Sequence, residues 1–125
     1  MVVKMNLCQE FKEADKKMGK TFIVVRTSFE ALHQWPECPF NDVGYLRNLH
    51  RHIFHVEMKI ETTGDRQIEF IRHKNLINKF IDNKYKGFNL GPTSCEVIAE
   101  TLSKAFGASS VSVFEDNENG AVYEA

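Results

Sequence analysis

The sequence predicts an α+β domain: a four-stranded antiparallel sheet with two helices on one face, preceded by an extra N-terminal helix. Three observations predict it. Strand-like segments come in two pairs, 21–32 with 50–60 and 110–114 with 121–123. Two segments of helical periodicity lie between the pairs, so strands and helices do not alternate singly as a parallel sheet requires. Within 50–60 only one face is apolar, which suits a sheet covered on one side.

The elements follow in order. Leu7, Phe11, Ala14 and Met18 form an apolar stripe at steps of four, three and four, which predicts a helix over 6–18 stopped by Gly19. Residues 1–20 are thus a helical extension and 21–125 the domain proper. TFIVVRTSFEAL (21–32) is rich in β-branched and aromatic residues and reads as a strand. An irregular loop follows, with Pro36, Pro39 and Gly44 as breakers.

The second strand is the most informative. His50, His52, Phe54, Val56, Met58 and Ile60 share one face, while Arg51, His55, Glu57 and Lys59 point away, with Ile53 the exception. TTGD (62–65) is a turn, and Gln67–Phe70 ends the hairpin. A helix over about 71–82 carries Phe70, Lys74, Ile77 and Ile81 along one line. KGFNLGP (86–92) breaks it. The next helix starts near Thr93, where Thr93 and Glu96 have capping-box spacing; Val97, Ile98, Leu102, Ala105 and Phe106 supply its apolar stripe, and Gly107 ends the helix. The last two strands close around NENG, whose Asn119-Gly120 favours a tight primed turn.

Composition excludes several classes. At 125 residues the chain is one domain. Its apolar content of 42 % and charged content of 26 % are those of a globular protein. A net charge of −1 gives no electrostatic case for a nucleic-acid or anionic-membrane partner. No apolar run approaches the roughly 18 residues that span a bilayer. The first residues turn charged too early for a signal peptide. Cys8, Cys38 and Cys95 are odd in number and lack paired spacing, which points to a reducing, cytoplasmic setting rather than a disulfide framework.

Three histidines carry the chemistry. His33 ends the first strand, and His50 and His52 open the second. If these strands pair as a hairpin, all three imidazoles converge at one end of the sheet. Zinc favours such nitrogen donors, and three protein ligands leave a fourth position for water or substrate. The same residues also suit a plain polar sheet edge, and spacing alone does not separate the two.

Five motifs in order resemble the family of 6-pyruvoyl-tetrahydropterin and 6-carboxy-tetrahydropterin synthases. SFEALH (28–33) is similar to its Phe-x-Ala-x-His motif, and LHRHIF (49–54) to its Leu-His-Gly-His-aromatic motif, with Arg51 for the glycine. IEFIRHK (68–74) resembles Asp-Phe-x-x-Leu-Lys, with Glu69 for the aspartate. GPTSCEVIAETL (91–102) resembles the Asn-Pro-Thr-Ser-Glu-x-Leu-Ala helix start with one residue inserted, and VSVFEDNENGAVYEA (111–125) the last hairpin. The resemblance runs from about residue 22 to 125.

The resemblance implies the tunnelling fold, a homo-oligomer built as a hexamer from two trimers, and a site between subunits. It implies zinc held by His33, His50 and His52, a pterin ring anchored by Glu115, and Thr93 and Ser94 in the substrate site. The implied activity is a carbon–oxygen lyase acting on 7,8-dihydroneopterin triphosphate or a close pterin, in tetrahydrobiopterin or queuosine biosynthesis.

The proton-transfer residues depart from the pattern. Members usually carry a cysteine four to six residues before the His-x-His pair; here that window holds Gly44, Tyr45 and Leu46. Cys38 and Glu37, in the same loop, are the candidates to replace it, and both also read as ordinary loop residues. The family's Leu-Asp-His is here Ile81-Asp82-Asn83: Asp82 fits, but Asn83 cannot exchange a proton near neutral pH. His73 lies too early in its helix to substitute and reads as a surface histidine. The alternative to an enzyme is therefore a catalytically impaired relative that binds a pterin or purine-like ligand, to sequester or to sense it.

Overall fold

The computed structural model describes residues 19–125; the helix expected over 6–18 lies outside the described residues. Strand β1 (Thr21–His33) and β2 (His50–Thr62) pair antiparallel, and β3 (Ser110–Glu115) and β4 (Asn119–Glu124) complete a sheet of order β1-β2-β3-β4. Helices α1 (Phe70–Lys84) and α2 (Cys95–Phe106) fall between the strand pairs. The strand–strand–helix–helix–strand–strand order is the one the periodicity predicts.

Both helices pack on the face where β2 puts its apolar residues. Phe54, Val56, Met58 and Ile60 are buried there with Val25 and Phe29 of β1 and Val111 and Val113 of β3. Ile77 and Ile81 of α1 and Ile98, Ala99 and Leu102 of α2 close the core. Phe29 stacks between Phe54, at 5.2 Å between centroids, and Tyr85, at 5.4 Å. Burying each such ring is worth roughly 1.5–3 kcal/mol, so this column fixes the end of the sheet that carries the histidines. Polar residues hold the opposite face of β1 and β2, where Arg26 pairs with Glu57 and Arg51 with Glu30, both at 2.8 Å.

Several local expectations are corrected. Gln67 and Ile68 extend the turn after β2 instead of the strand, because the Gln67 side chain gathers the Thr62 and Thr63 hydroxyls and the Thr63 N–H. Glu69 caps α1 by accepting the Arg72 N–H at 2.7 Å. Phe70 and Lys74 are exposed, so the buried line of α1 is Ile77 and Ile81. The cap of α2 is Ser94, one residue beyond the expected Thr93: its hydroxyl accepts the Val97 N–H, while Thr93 Oγ1 donates to the Leu90 carbonyl at 2.7 Å. Asn119-Gly120 is not the turn of the last hairpin. Asp116, Asn117 and Glu118 make a three-residue turn, with positive φ of 52° and 58° at Asp116 and Asn117. Gly120 lies within β4, where a side chain would strike the β3 backbone at Val113.

The loop after β1 also has structure. Asn41–Arg47 forms a 3-10 segment without buried residues. On the far side of β1, residues 87–91 strap its end: Gly87 N–H bonds Glu30 O, Leu32 N–H bonds Phe88 O, Leu90 N–H bonds Leu32 O and Gln34 N–H bonds Gly91 O. Gly87 and Gly91 have positive φ, which permits the strap to turn directly into α2.

Candidate metal centre

Register brings the histidines together. His33 sits opposite His50 across the β1–β2 ladder, and His52 is opposite Ala31 two residues further in. Glu115 is opposite Phe54 on the β2–β3 ladder. Residues directly across a ladder share a face, so all four side chains emerge on the helix-covered face at one end of the sheet. One donor atom from each of His33, His50, His52 and Glu115 lies within 4.8 Å of the other three.

Every imidazole has its Nδ1 engaged outside this group. His33 Nδ1 is 2.9 Å from the Thr93 carbonyl, His50 Nδ1 is 2.8 Å from the Asn48 carbonyl, and His52 Nδ1 is 2.6 Å from Asp116 Oδ2. Each acceptor favours N–H at Nδ1, which turns Nε2 of each ring toward the centre; for His52 this holds with an ion between Nε2 and the nearby Glu115 carboxylate, since two bare acceptors would repel. Nε2 of His33 and of His50 is buried without a hydrogen-bond partner. Buried nitrogens of this kind are costly unless something fills the space between them, and a cation bound through the lone pairs does so. The donor set fits zinc.

Glu115 supplies the negative charge. Its Oε2 is 2.6 Å from His52 Nε2 and 3.4 Å from His33 Nε2; the latter is an electrostatic contact without hydrogen-bond alignment. This carboxylate raises the pKa of His33 against the opposing effect of burial, and His33 in turn holds Glu115 below its ordinary value. Asp116 is held low first by the Ile53 N–H, which donates to Oδ1 at 2.9 Å, and then by His52. The Cys95 thiol, only 4 % exposed at the start of α2, donates to Glu115 Oε1 at 3.7 Å. Burial, with the Glu115 charge second, pushes that thiol up to about 12.

A cleft of about 430 Å³ opens beside His33, His50 and Glu115, walled by Trp35, Leu46, Thr93, Ser94 and Glu96. A larger groove of about 730 Å³ runs between β1 and α1 at Val24, Arg26 and Phe70, away from the histidines; its residues include no metal-ligating cluster, so the chemistry is assigned to the smaller cleft.

The expected residues divide. His33, His50, His52, Glu115, Thr93 and Ser94 border this one region. Cys38, Glu37 and Asp82 do not line it. Cys38 is buried in its own loop with Sγ toward the Phe40 and Val43 carbonyls, at 3.7 and 3.9 Å. Glu37 and Asp82 are exposed. His73 is half-buried against Phe106 rather than on the surface, and its Nε2 is buried without a partner. Sequence reasoning missed Asp116 and Cys95; the β2–β3 register, which aligns Glu115 with Phe54, and the start of α2 at Cys95 reveal them.

No protein-family model matches the sequence, and no curated protein matches it. Solved structures do match in shape. The 6-pyruvoyl tetrahydropterin synthase of Caenorhabditis elegans superimposes with a TM-score of 0.70 at 16 % identity, over 86 % of this chain and 97 % of that one. An uncharacterised protein from Wolinella succinogenes superimposes with a TM-score of 0.59, also at 16 % identity, over 83 % of this chain and 98 % of that one. The likeness is one of fold: the chain has the α+β fold of 6-pyruvoyl tetrahydropterin synthase.

Proposed function

We propose that the protein is a zinc-dependent lyase or synthase-like protein acting on a pterin, 7,8-dihydroneopterin triphosphate or a close relative. The observation that carries the reading is the orientation of three imidazoles, each with Nδ1 engaged and Nε2 turned to one centre. His33, His50 and His52 would hold the zinc, which supplies Lewis-acid polarisation of a side-chain oxygen on the ligand. The cleft volume of about 430 Å³ lies in the range of small-molecule sites. Trp35 offers a flat wall to a heterocycle, and Thr93 and Ser94 offer polar groups beside it. A carboxylate such as Glu115 suits the amino-pyrimidinone edge of a pterin, which donates two parallel hydrogen bonds. The fold shared with a solved 6-pyruvoyl tetrahydropterin synthase supports the same reading.

The reading includes a homo-oligomer, a hexamer made of two trimers, in the cytoplasm. β1 and β4 are the edges of the sheet, and the part of β1 before Glu30 is not covered by the strap. Val24 on β1 and Val122 on β4 are exposed. Exposed edges of this kind favour pairing between copies, and closure into a ring removes them. No helix among the described residues is long and apolar enough to cross a membrane.

A second reading, a binder that sequesters or senses a pterin or purine-like ligand, is favoured by the positions of Cys38, Glu37 and Asp82 outside the cleft. A positioned acid–base group typically supplies about 10²–10⁴-fold in rate, and none of these three is beside the imidazoles. One assay decides. The purified protein is loaded with zinc and incubated with 7,8-dihydroneopterin triphosphate, with triphosphate release and pterin products measured. Turnover supports the lyase; tight binding without turnover supports the binder; neither binding nor turnover overturns both.

A further inference from the structure

We infer that Glu115 is a fourth protein donor to the metal centre in the ligand-free protein, and that an incoming ligand oxygen takes its place. Two donors to one tetrahedral zinc, each at about 2.0–2.1 Å, lie about 3.3–3.4 Å from one another. Glu115 Oε2 is already 3.4 Å from His33 Nε2. Its contact to His52 Nε2, 2.6 Å, is shorter than that spacing and would open by roughly 0.7 Å with an ion between the two atoms. The carboxylate oxygen is therefore the one donor that joins the three imidazoles at this centre among the described residues.

The other carboxylate oxygen is held elsewhere. Cys95 Sγ donates to Oε1 at 3.7 Å from its buried place at the start of α2. Glu115 thus presents a single oxygen to the centre, as a monodentate ligand does. The outer nitrogens of all three rings are committed to Thr93, Asn48 and Asp116, so each ring has only its inner nitrogen to offer the centre. The charge balance agrees: one carboxylate offsets half the charge of a divalent ion among neutral imidazoles.

The arrangement remains exchangeable. The Glu115 side chain is 31 % exposed and borders the cleft, so it has room to turn away from the metal. The exchange would be a ligand substitution: with a metal held by His33, His50 and His52, one carboxylate oxygen of Glu115 would give way to one hydroxyl or carbonyl oxygen of the ligand, with no carbon bond or oxidation state changed. The released carboxylate is then free to accept hydrogen bonds from the ligand's ring, which unites the two roles of Glu115. The donor role stands on the geometry alone; the displacement rests on the pterin reading above.

The test uses cobalt(II) as a spectroscopic stand-in for zinc. Wild type, Glu115→Ala and Glu115→Gln are loaded with cobalt, and the neutral ligand imidazole is titrated while visible absorption is read. The alanine variant is expected to bind cobalt at least about tenfold more weakly and to take up imidazole at lower concentration than wild type. Equal cobalt affinity and identical imidazole titrations would overturn the donor role. If the alanine variant does not fold, judged by its melting curve, the glutamine variant answers the same question with a weaker donor. In a separate arm, 7,8-dihydroneopterin is added to cobalt-loaded wild type. A changed cobalt spectrum supports the displacement. Binding, measured by calorimetry, with an unchanged spectrum overturns the displacement alone; no binding at all overturns the pterin reading and leaves the donor role standing.

Discussion

Asp116 Oδ2 lies 2.6 Å from His52 Nδ1, while Oδ1 of the same carboxylate accepts the Ile53 N–H at 2.9 Å. One side chain therefore fixes both the ring of His52 and the strand that carries it. The residue adopts a positive φ of 52° to do so, a conformation that Asp tolerates better than most residues.

Removing this carboxylate should weaken metal binding without emptying the fold of its core. Outer-sphere partners of a metal-bound histidine are typically worth 10–100-fold in affinity. Asp116→Ala is expected to lose zinc affinity on that order, and Asp116→Asn, which keeps an acceptor, less. Competition against a chromogenic chelator measures both. Equal affinity in all three proteins would show that His52 is not oriented by Asp116.

A metal at the proposed centre would compete with protons for His33. Its pKa is raised above 6.5 chiefly by Glu115, so zinc affinity should fall as pH drops from about 8 to 6, beginning at a higher pH than for an ordinary imidazole. The metal-free protein should show the opposite trend in stability. A histidine with a raised folded pKa contributes stability that is complete below 6.5 and lost as pH rises through the folded value; Glu115, lowered from 4.5, contributes stability that is present above 4.5 and lost as pH falls through its own lowered value. Melting curves in the presence of a chelator should therefore decline from near pH 6 toward pH 9. A flat profile would mean the pair does not form in solution.

Cys95 should be chemically silent. A thiol pushed up to about 12 and only 4 % exposed carries almost no thiolate at neutral pH. Alkylation with iodoacetamide at pH 8, followed by peptide mass mapping, should leave Cys95 unmodified until denaturant is added. Rapid labelling of the folded protein would contradict the packing of α2 against Glu115.

Gly120 should not accept a side chain. A Cβ there would meet the backbone of β3 at Val113 and Phe114, and backbone yields less readily than a flexible side chain. Gly120→Ala is expected to cost about 1–3 kcal/mol, read from denaturant midpoints, and to reduce zinc binding because Gly120 faces Phe114 at the turn end of the same hairpin, immediately beside Glu115 and Asp116. Unchanged stability would place β4 in a different register.

What the sequence made legible was local pattern. Alternation over 50–60, broken only by Ile53, announced both the buried face of β2 and the shared face of His50 and His52, and a hairpin was enough to bring His33 opposite His50. The cap of α2 was ambiguous because Thr93 and Ser94 are both competent; the observed helix begins at Cys95, which makes Ser94 the residue in reach of a free N–H. Asn119-Gly120 misled because glycine serves there for close approach between strands rather than for the turn, which Asp116 and Asn117 make with their own positive φ. Cys95 and Asp116 were not legible at all. Their roles come from the register of β3 on β2 and from where α2 begins, and neither is encoded in residues adjacent to them.

The Thr93 carbonyl, just beyond the strap over the end of β1, ties the orientation of His33 to a residue 60 positions away. With Glu115 and Asp116 drawn from the last hairpin, the donor group exists only when nearly every element of the described fold is in place. In the unfolded chain only His50 and His52 remain neighbours. A metal that selects the assembled group therefore stabilises the entire fold by mass action, by about 4 kcal/mol at a free concentration 1,000 times its Kd. With such a metal the melting temperature would become a reading of its free concentration, and depletion would lower the abundance of the folded protein.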